Sequence, residues 1–284
     1  MSSANIGWLF YKDYFKGIDY TNLDNANNET IINKKIANII SQTPTIEEAE
    51  VLGSTRFTAT TTYPGLLLGS GNAHEIPSVK GQAILGFHFD YTSGLPVIQG
   101  SSIKGVLRSA FKHEEYIKEI LNKEDIVGLE SEIFDNGDVF FDATISKAEN
   151  KILGDDYITP HSDELKNPIP LRFIKVLPDV SFRFDFELKD GIITKEEKIK
   201  LFENILEDLG LGAKTNVGYG KFKDFETHTT QEEQEQAKKK AEEKKAKDEA
   251  DRLQAIEDTK TAKKQKAKDG INSLLECKTL PEAF

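Results

Sequence analysis

Between Ser181 and Phe222 the chain spells out one continuous unit, and few folds accept it. Phe182, Phe184, Phe186 and Leu188 alternate with Arg183, Asp185 and Glu187, the period of a half-buried strand with one wet face. A helix follows over Lys195–Leu209, with Ile199, Phe202, Ile205, Leu206 and Leu209 at helical spacing. Its ends are written out: Thr194 and Glu197 form a capping box, and Gly210 stands where a left-handed C-terminal residue belongs. Gly210, Gly212, Gly218 and Gly220 then crowd one short segment ahead of a last strand.

The same patterns recur upstream. Phe87, Phe89 and Tyr91 alternate as a strand does, as do Phe57 and Ala59, while Val139–Ala143 and Phe173–Val176 are shorter candidates. A second amphipathic helix is predicted from about Ser102 to Asn122, with Ile103, Leu107, Ala110, Ile117, Ile120 and Leu121 on one side. Strands interspersed with two such helices suit an α+β sandwich, helices on an antiparallel sheet. Residues 1–50, Asn-rich from 20 and helix-like from Thr30 to Ile40, read as an N-terminal segment with a peripheral insertion. Residues 51–225 read as the core, and 226–284 as a charged helical tail. From Gln231 to Lys268 that tail is Glu, Lys, Ala and Gln without Pro or Gly, which favours a solvated single helix. Only Leu253 and Ile256 offer a seam, Gly270 ends the run, and Ile271–Leu275 could form a short docking turn.

No apolar run is long enough for a membrane span, the N-terminus lacks the order of a secretory signal, and Cys277 is the single cysteine. No intrachain disulfide or cysteine-based metal site can form, and a cytoplasmic location is expected. The formal charge is -11, and the tail does not explain it: from Glu226 onward 13 Lys and Arg stand against 14 Asp and Glu. The acidity belongs to the body, whereas a free-standing nucleic-acid binder is usually basic.

Two segments carry the candidate chemistry. In the first, Gly94 to Arg108, an extended apolar piece ends at Gly100 and a helix begins with Ser101 or Ser102 as N-cap. Free N–H groups and the helix dipole there suit an anion. Lys104 and Arg108, four residues apart at that positive end, cost about a few tenths of a kcal/mol each unless an anion is present. In the second, Leu209 to Lys221, the glycines permit close approach of a ligand, Lys214, Thr215 and Asn216 supply donors, and Tyr219 could stack on a base. It is not a phosphate-binding Walker loop, because Lys214 follows Ala213. Alone, it fits a tight turn into the last strand as readily as a ligand loop.

Together these segments resemble the two hallmark loops of the RAMP superfamily, and most resemble the family of sixth subunits of the Cmr complex, the type III-B CRISPR effector. Tyr63–His74, Gly137–Ala143 and Asp156–His161 fit the same pattern in the same order; Gln99 replaces the usual Pro, and the tail lies outside the likeness. The resemblance implies a ferredoxin-like (RRM-type) core with insertions, without cofactor or metal. It also implies a non-catalytic subunit that binds CRISPR guide RNA toward its 3′ end beside other Cmr-type subunits, in support of target RNA recognition. The implied RNA contacts are Gly100, Ser101, Ser102, Lys104, Arg108, Lys214, Thr215, Asn216 and Tyr219. A local cationic strip suffices if neighbours complete the groove.

Catalytic signals are weak. His88 falls on the wet side of a strand; His161 could hydrogen-bond within its loop or act as an acid–base group; His74 could contact RNA or cap a turn. The alternative function is a metal-dependent target-RNA endoribonuclease using an early carboxylate, with Asp13, Asp19 and Asp24 as candidates.

Overall fold

The computed structural model describes residues 5–47, 50–159 and 170–229. His161, Cys277 and the predicted helical tail from residue 230 onward lie outside them; Glu226–Thr229, expected from sequence to belong to that tail, instead end the last strand. The chain divides into two units, residues 1–228 and 229–284, and the described residues belong almost entirely to the first.

In chain order the elements are α1 Ile6–Tyr11, α2 Ala26–Ser41, β1 Thr55–Thr61, β2 Gly69–Ala73, β3 Leu85–Phe87, β4 Val97–Ile98, α3 Gly100–Ala110, α4 Glu114–Leu121 and α5 Leu129–Asp135. There follow β5 Val139–Phe140, β6 Ala143–Lys147, β7 Leu153–Ile158, β8 Leu171–Val176, β9 Ser181–Glu187, α6 Lys195–Leu209 and β10 Phe222–Thr229. The main sheet runs β10-β1-β9-β6-β4, with the short β5 also paired to β9. With α3 between β1 and β6, and α6 between β9 and β10, this is the ferredoxin-like βαββαβ order, extended by edge strand β4. The fold is α+β, as the pattern implied.

The core explains the alternation of apolar residues. Phe57 stacks on Phe184 at 4.9 Å, and Phe186 meets Phe202 of α6 at 5.5 Å. Ile103 and Leu107 of α3 and Ile199, Ile205 and Leu206 of α6 are buried in the same cluster. Burial of such side chains contributes about 1.5–3 kcal/mol each. The capping box of α6 forms with both hydrogen bonds, and Gly210 follows the helix at φ 71°.

Four further expectations are corrected. The strand at Ser181 has no wet face: β9 is central, and Arg183 and Asp185 are buried as an ion pair at 2.9 Å. The chain at Glu50–Leu52 covers them, since Arg183 donates to the Glu50 carbonyl at 2.7 Å and the Leu52 N–H donates to Asp185 at 3.4 Å. The helix predicted over 102–122 is two helices. Bonds from the N–H groups of Phe111, Lys112 and His113 to carbonyls three residues back tighten the turn after Ala110, and Phe111 turns edge-on to Phe134 of α5 at 5.4 Å. No Gly or Pro marks that break.

The segment from residue 20 is not a peripheral insertion, because Ile32, Ile36 and Ile39 of α2 are buried in the main core cluster, together with Ile6, Leu9 and Phe10 of α1. Finally, the alternation at Phe87–Tyr91 stops being a strand after Phe87. The chain turns at Asp90–Gly94, where the Asp90 carboxylate accepts from the N–H and hydroxyl of Ser93 at 2.5 and 2.8 Å, and Tyr91 is left 91% exposed.

Candidate nucleic-acid interface

The glycine-rich loop is a closed ring on a rigid base. The Leu211 N–H donates to the Gly220 carbonyl at 2.8 Å, drawing its two ends together. A Cβ on Gly220 would lie 1.8 Å from the Leu211 carbonyl oxygen, so no other residue fits at that closure. The loop is then bonded to the segment after β1: Ala213 donates to Leu67 at 3.0 Å and Gly220 to Gly65 at 2.8 Å. Lys214 adopts a left-handed conformation at φ 61°, and Thr215–Val217 make one 3-10 turn ending at Gly218. This geometry lifts Asn216 and Val217 into solvent, with Lys214 and Thr215 half-exposed beside them. No ion pair reaches Lys214 among the described residues.

Tyr219 does something other than the sequence suggested. It is only 7% exposed. Its ring packs edge-on to Phe173 of β8 at 5.8 Å, and its hydroxyl donates to Asp156 Oδ2 of β7 at 2.7 Å. The same oxygen accepts from Lys175 Nζ at 2.6 Å. Burial and the Asp156 hydrogen bond raise the Tyr219 hydroxyl well above its ordinary pKa. Burial works against the Asp156 carboxylate, but hydrogen bonds from Lys175 and Tyr219 outweigh it and hold its pKa below the usual range. Tyr219 is therefore a strut under the loop, with no free face for a base. The exposed ring at this place is Tyr63, 85% exposed. It is held beside the loop by Thr62, whose N–H donates to the Lys221 carbonyl at 3.0 Å, and by Pro64, which lies against Gly218. Sequence reasoning missed Tyr63 as a stacking candidate, although it opens one of the segments that carried the resemblance.

The first segment is also built differently from expectation. Gln99, not Ser101 or Ser102, is the N-cap of α3, and it makes no side-chain cap. The Gly100 N–H donates to Asp142 Oδ1 at 2.7 Å, so a carboxylate already holds the first amide of the helix. Gly100 is required, since a Cβ would lie 2.2 Å from the Phe140 carbonyl oxygen. Arg108 lies in the last turn of α3. It donates to both Asp135 oxygens at 3.0 and 3.2 Å and to Glu130 Oε1 at 2.8 Å, and those bonds, Glu130 first, raise its pKa. An acid at the start and a cation at the end are the favourable arrangement for the helix dipole, so the electrostatic frustration expected of Lys104 and Arg108 does not arise. Ser101 and Ser102 stay exposed. Lys104, with its ammonium 5.8 Å from the Phe140 ring, has no carboxylate partner among the described residues.

The two segments do not form a single pocket. The first follows β4 and the second precedes β10, and these are the opposite edge strands of the main sheet. They are two separate patches on one chain.

Of the remaining polar candidates, His74, Asp13 and Asp19 have structural partners. His74 is buried, stacks on Phe10 at 3.8 Å and makes a hydrogen bond to the Phe10 carbonyl at 3.0 Å; burial lowers its pKa. It is no RNA contact. Asp13 pairs with Lys35 at 2.7 Å. Asp19 accepts from Thr21, Asn22 and Asn25 in a turn, and the Thr21 bonds chiefly lower its pKa. Asp24 is exposed. Among the described residues no cluster of three or more His, Cys, Asp or Glu side chains is disposed to hold a metal ion, and no helix is long and apolar enough to cross a membrane.

A ferredoxin-like core with a glycine loop closing the last crossover defines a class, and residues 58–223 match the family model described as the RAMP superfamily. The chain belongs to that superfamily. Within it, the chain is 35% identical over 147 residues to the CRISPR system CMR subunit Cmr6 of Saccharolobus solfataricus, covering 48% of each sequence. It thus spans about half the length of that curated relative. It is also similar to a chain in the cryo-EM structure of the Type III-B Cmr-beta bound to cognate target RNA, at 26% identity and a TM-score of 0.46 over 62% of this chain and 61% of that one. The crystal structure of Cmr6 from Pyrococcus furiosus aligns at 24% identity and a TM-score of 0.40, over 60% of this chain and 95% of that one.

Proposed function

We propose that this chain is a non-catalytic backbone subunit of a type III-B CRISPR effector complex, and that it grips the guide RNA toward its 3′ end. The observation that carries this reading is the crown of the glycine loop. Lys214, Thr215 and Asn216 project from a rigid base next to the exposed ring of Tyr63, which matches phosphate, ribose and base in turn. The likeness of about half the chain to a CMR subunit supports the setting. Ser101, Ser102 and Lys104 form a second, smaller grip at the start of α3. Arg108 supports that grip only through α5, because its charge is already matched.

The acidic body is compatible with this role. A chain of net charge -11 holds a long guide less tightly alone than in a shared groove, and local patches suffice when neighbouring subunits complete it. Photocrosslinking of guide RNA within an assembled particle tests the proposal. A crosslink at Tyr63 or in the Lys214–Asn216 crown is expected, and it disappears with Lys214→Glu. A particle that assembles normally and gives no crosslink at the crown would overturn RNA contact there and leave a subunit that touches only its neighbours.

A further inference from the structure

At the other end of the first segment lies a cleft of about 600 Å³, bounded by Trp8, Tyr11, Lys12, Lys16, Asp90 and Tyr91. Its two walls are α1 with the chain just after it and the Asp90–Gly94 turn. Asn5 joins them: its side chain caps α1 by accepting from the Trp8 N–H at 2.8 Å and donates to the Thr92 carbonyl at 3.4 Å. The Gly7 N–H donates to the Gly94 carbonyl at 3.1 Å. A Cβ on Gly94 would lie 2.3 Å from the Asn5 side chain, which fixes a glycine where the walls meet. The Tyr11 hydroxyl donates to the Phe87 carbonyl at 2.6 Å, locking its ring in place.

Three features of this cleft point to one ligand chemistry. Large aromatic rings are open to solvent, Tyr91 at 91% and Trp8 at 47% exposure. Lys12 and Lys16 have no carboxylate partner among the described residues; the Lys16 ammonium rests over the Trp8 ring at 4.6 Å. The single carboxylate on the lining, Asp90, is occupied by Ser93. A net positive, aromatic cleft on a body of charge -11 is unusual, and it suits a polyanion with stacking bases rather than an acidic or apolar peptide.

We propose that this cleft is a further binding site for single-stranded RNA, separate from the glycine loop and the start of α3. A base stacks on Tyr91 and its phosphates draw the ammonium groups of Lys12 and Lys16, lifting Lys16 from Trp8. The choice of RNA rests on the function proposed above; the cleft itself uses none of the residues of the glycine loop. The turn that forms one wall continues along the chain into β4 and the start of α3.

Trp8 is the only tryptophan in the chain, so its fluorescence reports on this cleft alone. The test is a titration of the full chain with single-stranded oligouridylate of about twelve nucleotides, followed in parallel by anisotropy of labelled RNA. A saturable change in Trp8 emission is expected, weakening with added salt. Lys12→Glu with Lys16→Glu should abolish it, Tyr91→Ala should weaken it about fivefold or more, and Lys214→Glu should leave it in place. Thermal melting confirms that each variant is folded. If anisotropy reports binding that depends on Lys214 while Trp8 stays silent, the cleft is overturned and the glycine-loop reading stands. An emission change indifferent to the lysines also overturns it. So does protection of Tyr91 from hydroxyl radicals in an assembled particle that persists after the RNA is removed, since a neighbouring subunit would then be the occupant.

Discussion

The hydroxyl of Tyr219 and the carboxylate of Asp156 meet at 2.7 Å, and this bond ties the glycine loop to the β7–β8 hairpin. It turns an aromatic residue inside a loop of ligand-binding type into part of the foundation. The consequence is a division of labour in which Tyr219 holds the loop and Tyr63 presents the ring.

That division predicts opposite phenotypes. Tyr219→Phe keeps the ring but loses the hydrogen bond, and should cost about 1 kcal/mol of stability; Tyr219→Ala should cost about 3–4 kcal/mol through the cavity it leaves. Tyr63→Ala should leave stability unchanged and weaken guide retention. Urea denaturation and a filter-binding assay on the assembled particle separate the two.

Acid should loosen this tie. The Asp156 pKa is lower in the folded chain than its ordinary value, so its contribution is present above the ordinary carboxylate pKa and is lost as pH falls through the folded value. The wild-type chain should exceed Asp156→Asn in stability at neutral pH, and the gap should close on acidification. Denaturation midpoints of both proteins across the acid range check this.

The buried pair of Lys198 and Asp138, at 2.7 Å, sets a second stability test. Lys198→Met leaves Asp138 buried without its cation and should cost about 3–5 kcal/mol, while Lys198→Met with Asp138→Leu should recover most of that loss. Chemical denaturation of the single and double variants measures it.

For the α3 patch, charge accounting separates two neighbours. Lys104→Glu should weaken guide retention and flatten its salt dependence, because one fewer counterion is released. Arg108→Ala should leave the salt slope unchanged, since Asp135 and Glu130 already hold that charge. Retention measured against salt concentration distinguishes them.

The early carboxylates test the proposed non-catalytic role. Asp13→Ala should lower stability by removing the partner of Lys35, and neither it, Asp19→Ala nor Asp24→Ala should reduce target RNA cleavage by an assembled particle. Lost cleavage with intact assembly would identify a nuclease.

Local order alone determined much of this protein. The alternation at Phe182–Leu188, the capped helix to Leu209 and the glycine positions after it are dictated by side-chain period and backbone sterics within a few residues. Joined with Gly94–Arg108 and the pieces at Tyr63–His74, Gly137–Ala143 and Asp156–His161, they carried the fold class and the family resemblance. Local order could not say that β9 lies in the middle of the sheet, which puts Arg183 and Asp185 inside as a pair. It could not say that Phe111 turns onto Phe134 and breaks a helix, or that α1 and α2 belong to the core. The same limit governs the site. Lys214 and the glycines were legible because loop conformation is local. The fates of Tyr219, Arg108 and Gly100 were not, because Asp156, Asp135 and Asp142 reach them from distant parts of the chain. Whether a donor is free for a ligand depends on which partner the tertiary fold brings within hydrogen-bond distance, and the spacing of residues in sequence carries no record of that.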